Sequence, residues 1–249
     1  MKTFRHIIIT GASSGIGEAL AIDYAAPGVV LGLTGRDAKR LHAVADACRT
    51  KGATVLADTV DTTDRSAMAR WLRAFDDAHS VDLLVANAGI SLDQNNLGIE
   101  PFDSAHRTIA VNVTGVLNTV EPLIDRLMAR REGQIGVISS LAAFFGRPRS
   151  ASYNASKAAI RVWGESLRFP LAKANVGLSV VCPGYVTSRM TDAIADPRPK
   201  SMSTGRASQI IRHGLARNRP RIAFPFGLAI GVWFTALLPV WLSARILKE

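Results

Sequence analysis

Short runs rich in β-branched residues alternate along the chain with longer stretches whose apolar positions recur at helical spacing. That alternation is the pattern of a parallel sheet wrapped by helices. Strands are predicted at His6–Thr10, Val29–Thr34, Thr54–Ala57, Asp82–Ala86, Gln134–Ser139 and Leu178–Cys182, with a short last one at Arg221–Phe224. Each gap is long enough for the crossover that a parallel pair requires, and helices are expected to begin near Ile16, Ala38, Arg65, Phe102, Ser152 and Thr204. No repeat, low-complexity tract or interdomain linker breaks the series, so a single α/β domain of about seven strands is expected. The least regular stretch, Tyr185 to Ser203, holds Pro197 and Pro199 and reads as a mobile loop near the site.

Composition adds limits. A chain of 249 residues, 48% of them apolar, can bury a sizeable core. Cys48 and Cys182 have neither CxxC nor ligand spacing and read as buried thiols in a reducing compartment. The first strand starts too early for a leader segment, which points to a cytoplasmic protein. The histidines, His6, His42, His79, His106 and His213, are scattered without metal spacing, and no metal is expected. The net charge of +10 lacks the interleaved aromatics or finger spacings of a nucleic-acid binder. One concentration stands out: between Arg189 and Arg221 eight basic residues face only Asp192 and Asp196, and the uncharged apolar stretch Ile222 to Ala244 follows. Cations beside an apolar segment suit an anionic lipid surface.

Chemistry concentrates at the carboxyl ends of the predicted strands. Gly11, Gly15 and Gly17 follow the first strand and open its helix, with Ser13, Ser14 and Ile16 between them. Glycine there allows a close backbone approach, and the free N–H groups of the helix start attract a pyrophosphate. The second strand ends at Leu33-Thr34-Gly35-Arg36-Asp37. NAD-selective folds carry an acid at that point; here Gly35 leaves a gap, and the Arg36 guanidinium would pair with a 2′-phosphate, which favours NADP(H). Asp37 is the competing acid, or else a cap for the helix that follows. Asp61 and Thr62 would lie beside the adenine, and Asn87-Ala88-Gly89 would let the backbone pass close to the cofactor.

Further on stand Asn112, Ser140, Tyr153-Asn154-Ala155-Ser156-Lys157 and Pro183-Gly184. Together with Thr10 to Gly17 and Asn87 to Gly89, these ordered motifs make the chain resemble the short-chain dehydrogenase/reductase family from about Lys2 to Phe224. The resemblance implies a Rossmann-type, doubly wound sheet with helices on both faces, a nicotinamide cofactor and a catalytic tetrad on Asn112, Ser140, Tyr153 and Lys157. It also implies that Asn112 holds a water linking Lys157 to solvent. Pro183, Gly184, Val186 and Ser188 are expected to contact the nicotinamide; Ser188 stands where the family usually has threonine, and Thr187 competes for its role. A homodimer or homotetramer is implied as well.

The chemistry of that mapping follows from the side chains. A free tyrosine, with a pKa of about 10, holds its proton too firmly for exchange near neutral pH. Lys157, at i+4 on the same helix face, favours the phenolate and can hold the nicotinamide ribose. Tyr153 would donate a proton to a carbonyl oxygen as hydride reaches the carbon, and Ser140 would hydrogen-bond that oxygen. Ser139 is read as a structural neighbour, and Ser156 is left outside the catalytic set.

The tail has three placements. Ile222 to Ala244 is long enough to span a bilayer, but Pro225 and Pro239 interrupt it. It could instead pack on a partner subunit, or lie in the membrane plane with Trp233, Phe234 and Trp241 at headgroup level and Arg245 and Lys248 outside. Residues 1–225 are thus read as the catalytic domain and 226–249 as an apolar extension. The expected function is NADPH-dependent interconversion of a carbonyl and a secondary alcohol, on an apolar or lipid-like small molecule. A nonenzymatic NADP(H) sensor or scaffold is the alternative, against which the intact tetrad argues. Epimerase or dehydratase chemistry on nucleotide sugars lacks room for its larger C-terminal domain.

Overall fold

A computed structural model describes residues 2–91, 100–146, 150–188, 201–239, 241–242 and 245. Strands β1 (His6–Thr10), β2 (Val30–Thr34), β3 (Thr54–Asp58), β4 (Leu83–Ala86), β5 (Gln134–Ile138), β6 (Gly177–Pro183) and β7 (Arg221–Phe224) form one sheet. Every pairing is parallel, in the spatial order β3-β2-β1-β4-β5-β6-β7. The predicted strand ends lie within one residue of those observed.

The helices are α1 (Gly15–Tyr24), α2 (Ala38–Thr50), α3 (Arg65–Ala78), α4 (Phe102–Ile109), α5 (Gly115–Arg130), α6 (Ala151–Lys173), α7 (Thr204–Ala216) and α8 (Phe226–Ala236). They cover both faces of the sheet. In β1 the alternation is direct: Ile7 and Ile9 join Leu20, Leu41 and Ile211 of α1, α2 and α7, while Ile8 joins Leu72, Leu123 and Ile160 of α3, α5 and α6. A strand apolar on both faces stays in register only when both layers are present, because each buried aliphatic side chain stabilises the fold by about 1.5–3 kcal/mol. This is the doubly wound, Rossmann-type fold expected from the sequence.

One local difference bears on the site. The helix expected from Phe102 onward does not run uniformly: α4 passes into a single π turn, Ala110–Thr114, before α5 resumes. The wider turn lets the buried Asn112 accept from the Ile90 backbone N–H at 2.8 Å and donate to the Ile90 carbonyl at 2.9 Å. A side-chain amide bonded twice to a neighbouring backbone holds a bulge that helix propensity alone would remove.

The tail also differs from expectation in one part. Trp233 turns inward, its ring edge-on to Phe144 at 6.2 Å, rather than outward to a headgroup layer. Lys248 and residues 189–200 of the expected loop lie outside the described residues.

Candidate active site

The strand order reverses direction between β1 and β4, and a cleft of about 530 Å³ opens over the carboxyl ends there. Crevices at such switch points are where open α/β sheets take ligands. Gly11 (φ 66°) and Gly15 (φ 63°) adopt left-handed angles that carry the chain from β1 into α1. With Ser13, Ser14 and Ile16 they line the cleft, at the N-terminus of α1. Gly17 does not line it. A Cβ there would stand 2.3 Å from the Gly11 carbonyl oxygen, so this glycine lets α1 close onto the turn.

Asn87 locks the opposite wall. Its Nδ2 donates to the carbonyls of Thr10 at 2.9 Å and Gly11 at 3.1 Å, while the Asn87 and Ala88 N–H groups donate to Thr10 Oγ1. The two loops are so close that a Cβ on Gly11 would sit 2.8 Å from Ala88 Cα. A backbone channel this bare fits a pyrophosphate and the nucleotide it joins.

At one end of the cleft stand Arg36, Asp37, Arg40, Asp61 and Thr62. Asp37 caps α2, accepting the Arg40 N–H at 2.9 Å, and pairs with the Arg40 guanidinium at 3.0 Å. Its carboxylate is therefore engaged by its own helix, the capping role that the sequence left open. Asp61 is likewise turned to Thr63, accepting from its N–H and hydroxyl at 2.9 Å each. Arg40 was not singled out by sequence, although its position one turn beyond Arg36 was a usable signal.

At the other end the hydroxyls gather. Ser140 follows β5, accepts from the Ala142 N–H at 3.1 Å, donates to the Pro183 carbonyl at 3.4 Å and is hydrogen-bonded to Tyr153. Lys157, one turn on from Tyr153, is buried, with Nζ 5.8 Å from the Tyr153 ring centroid and donating to the Ile138 carbonyl at 3.0 Å. Ser139 fixes this helix to the sheet by donating to the Lys157 carbonyl at 2.7 Å. A Cβ on Gly89 would lie 3.2 Å from Asn112 Oδ1 and 3.3 Å from Lys157 Nζ, so those groups converge on the space a glycine leaves.

The electrostatics correct one expectation. Burial is the largest influence on Tyr153 and holds its phenol above the ordinary value, with the Ser140 hydrogen bond pulling the other way. The same burial pushes Lys157 itself down to about 8. Desolvation disfavours both charged forms, the phenolate and the ammonium.

Pro183, Gly184, Val186 and Ser188 line the cleft beside these groups. Thr187 points elsewhere: its hydroxyl bonds to Ser201 at 2.9 Å. That leaves Ser188 as the hydroxyl on the cleft side. Val60, Ile90, Val111 and Ile138 also line the wall and were not foreseen, because an apolar side chain carries no chemical signature in a sequence. Asn112 lies behind the lining, its amide bonded to Ile90 and also donating to Ser156 Oγ at 3.1 Å. Among the described residues no group of three or more His, Cys, Asp or Glu could hold a metal, and both cysteines are buried free thiols.

A doubly wound sheet, a glycine turn at its switch point and a Ser-Tyr-Lys cluster across the cleft define a nucleotide-dependent oxidoreductase. Residues 5–199 match the model of the short chain dehydrogenases. An uncharacterized oxidoreductase of Myxococcus xanthus is 34% identical over 238 residues, 95% of this chain and 94% of that protein. A short-chain dehydrogenase of Sphingobium yanoikuyae in complex with NADPH superposes with a TM-score of 0.82 at 25% identity, over 91% of this chain and 90% of that one. A short chain dehydrogenase/reductase of Burkholderia phymatum in complex with NAD gives 0.83 at 25% identity, over 93% of each chain. The chain belongs to the short-chain dehydrogenase/reductase family and is an NAD(P)-dependent oxidoreductase acting on CH–OH groups.

Proposed function

We propose that this protein is an NADPH-dependent reductase that interconverts a carbonyl and a secondary alcohol on an apolar small molecule. The observation that carries this reading is the Ser140–Tyr153 hydroxyl pair, hydrogen-bonded together beside the buried Lys157. A protein that only sensed the nucleotide would have no use for that pair.

The two structural relatives hold different cofactors, so the choice rests on this chain's own groups. Arg36 and Arg40 place two guanidiniums at the adenosine end, and Asp37 is tied down as a cap. Guanidiniums suit a 2′-phosphate, and a carboxylate already paired competes poorly for ribose hydroxyls. Gly11, Ser13, Ser14, Gly15 and Ile16 would hold the pyrophosphate, Thr62 and Asp61 the adenine side, and Pro183, Gly184, Val186 and Ser188 the nicotinamide amide. When bound, the nucleotide supplies the hydride that adds to the carbonyl carbon.

The chain's residues supply the rest. Ser140 and Tyr153 both donate to the substrate oxygen, so negative charge that develops there meets two aligned O–H groups. Tyr153 then gives its proton to that oxygen, which as an alkoxide is far more basic than a phenolate. The phenolate left behind is stabilised by the Lys157 ammonium. Because burial keeps the phenol protonated at neutral pH, the site is set for reduction, and oxidation of the alcohol calls for higher pH. Asn112 acts through others: its amide fixes Ile90 and so the wall beside Gly89 and Lys157, a positioning role.

What borders the cleft supports an apolar substrate. Leu228 of α8 lies against Gly184, and the first turn of that apolar helix stands beside the nicotinamide segment. We read residues 1–225 as the catalytic unit and 226–249 as its extension. Self-association belongs to the same reading, since Phe102 and Ile109 of α4 and Val162 and Phe169 of α6 are exposed on helices that pack together. The test is NADPH oxidation over carbonyls graded by chain length. Rates that ignore chain length would remove the apolar substrate, and a strong preference for NADH would remove the cofactor assignment.

A further inference from the structure

Helix α8 presents two unlike faces. Ala229 and Val232 are buried in the core, and Trp233 packs on Phe144. On the other side Phe226, Ile230 and Phe234 follow one another at i+4 steps, with Leu237 next on the same line. They are exposed, Phe226 at 73% and Leu237 at 82%. Trp241, 64% exposed, comes after, with the Arg245 guanidinium 5.8 Å from its ring. Rows of large apolar side chains left in water are unfavourable, and monomeric proteins rarely keep them without a partner.

Charge says which partner. From Arg206 to Lys248 the sequence holds seven Arg and Lys residues and no Asp or Glu. Arg217 and Arg219 are exposed in the turn before β7, whose first residue, Arg221, lies against Trp233. A second copy meeting this face through a two-fold axis would bring like cations together, since the Glu165 carboxylate beside Arg221 is already paired with it. An anionic bilayer supplies the missing charge and the missing apolar contact at once. The helix has 11 residues, against the roughly twenty needed to cross a bilayer, and its inner face is committed to the core.

We propose that the outer face of α8 docks in the plane of an anionic membrane surface, with Phe226, Ile230, Phe234 and Leu237 in the acyl boundary and the arginines at the headgroups. Because Phe224, which precedes the helix by two residues, pairs with Pro183 at the cleft, docking sets the site beside the lipid. A carbonyl carried in the bilayer then reaches Tyr153 without crossing water. Docking itself does not depend on which nucleotide the enzyme uses.

The test is co-sedimentation of the full chain with vesicles of phosphatidylcholine, with and without phosphatidylglycerol. Binding is expected to need the anionic lipid and to weaken as salt rises. The double variant Phe234→Ser/Leu237→Ser should lower the partition coefficient roughly tenfold or more, while NADPH-dependent turnover of a water-soluble carbonyl stays unchanged. Arg217→Gln/Arg219→Gln should weaken binding to the anionic vesicles. The proposal is overturned if the chain ignores both vesicle types, or if it binds them equally well after Phe234→Ser/Leu237→Ser. It is also overturned if ultracentrifugation shows a dimer that this variant converts to monomers, for then a second copy covers the face. Loss of turnover in the wild-type chain would count against the reductase reading and leave docking to be judged by the vesicles.

Discussion

Replacing Lys157 by methionine should make the protein more stable while removing its activity. Lys157 is only 4% exposed, and burial holds its pKa near 8 against an ordinary 10.5. At about 1.4 kcal/mol per pKa unit, keeping that charge in the fold costs roughly 3 kcal/mol at neutral pH. Methionine fills a similar volume without a charge but leaves the Ile138 carbonyl, now bonded to Nζ at 3.0 Å, without its donor. That loss is about 1–2 kcal/mol, so the net gain is about 1–2 kcal/mol, or a rise in Tm of roughly 2–8 °C for a chain of this length. The pH dependence supplies a second readout. Between about 8 and 10.5 the unfolded chain binds the proton that the folded chain has released, so wild-type stability rises with pH across that window. The variant lacks the titrating group, and its advantage should shrink steadily over the same range. Calorimetric melts of both proteins across that range decide it. A variant that melts lower than wild type at neutral pH, or an advantage that stays constant with pH, would refute the reasoning, for the lysine would then carry its charge without penalty.

Tyr153→Phe should retain NADPH binding, read by nucleotide fluorescence, and lose about 10²–10⁴-fold in kcat, the usual contribution of a positioned proton donor. Arg36→Ala should raise the KM for NADPH by roughly 10–100-fold, as expected from losing a charge-assisted hydrogen bond, and leave NADH kinetics nearly unchanged; equal effects on both nucleotides would remove its role at the 2′-phosphate. Gly89→Ala puts a methyl group against Asn112 Oδ1 and Lys157 Nζ and should lower kcat more than it changes the KM for substrate. The rate of reduction should fall as pH rises through about 8, where Lys157 loses its proton, and a profile flat across that region would show that the ammonium is not needed.

Strands and helix starts were readable because this sheet is buried on both faces and punctuated by strong breaks, Gly11, Gly35 and Gly184 among them. The glycine turn and the Ser-Tyr-Lys spacing were legible for a related reason: each is short and its chemistry depends on residue type. What escaped was whatever depends on distance in space. Arg40 lines the cleft because Asp37 caps the helix they share, and Asn112 sits in a π turn because Ile90, far away in sequence, takes both ends of its amide. The direction of the Tyr153 shift was missed for the same cause. The adjacent lysine is visible in the sequence, whereas the depth of burial that outweighs it is set by the whole fold.

The single wide turn at Ala110–Thr114 has an effect well beyond Asn112. A π turn takes up one extra residue, so the helix beyond it keeps the phase it would have without that residue. Val116, Val120, Leu123 and Leu127, all beyond that turn, lie in the core. Closing the wide turn into ordinary α-helix with all its residues kept would rotate this apolar row by about 100° toward solvent, so the bulge that seats the amide also sets the phase by which the rest of the helix finds the sheet.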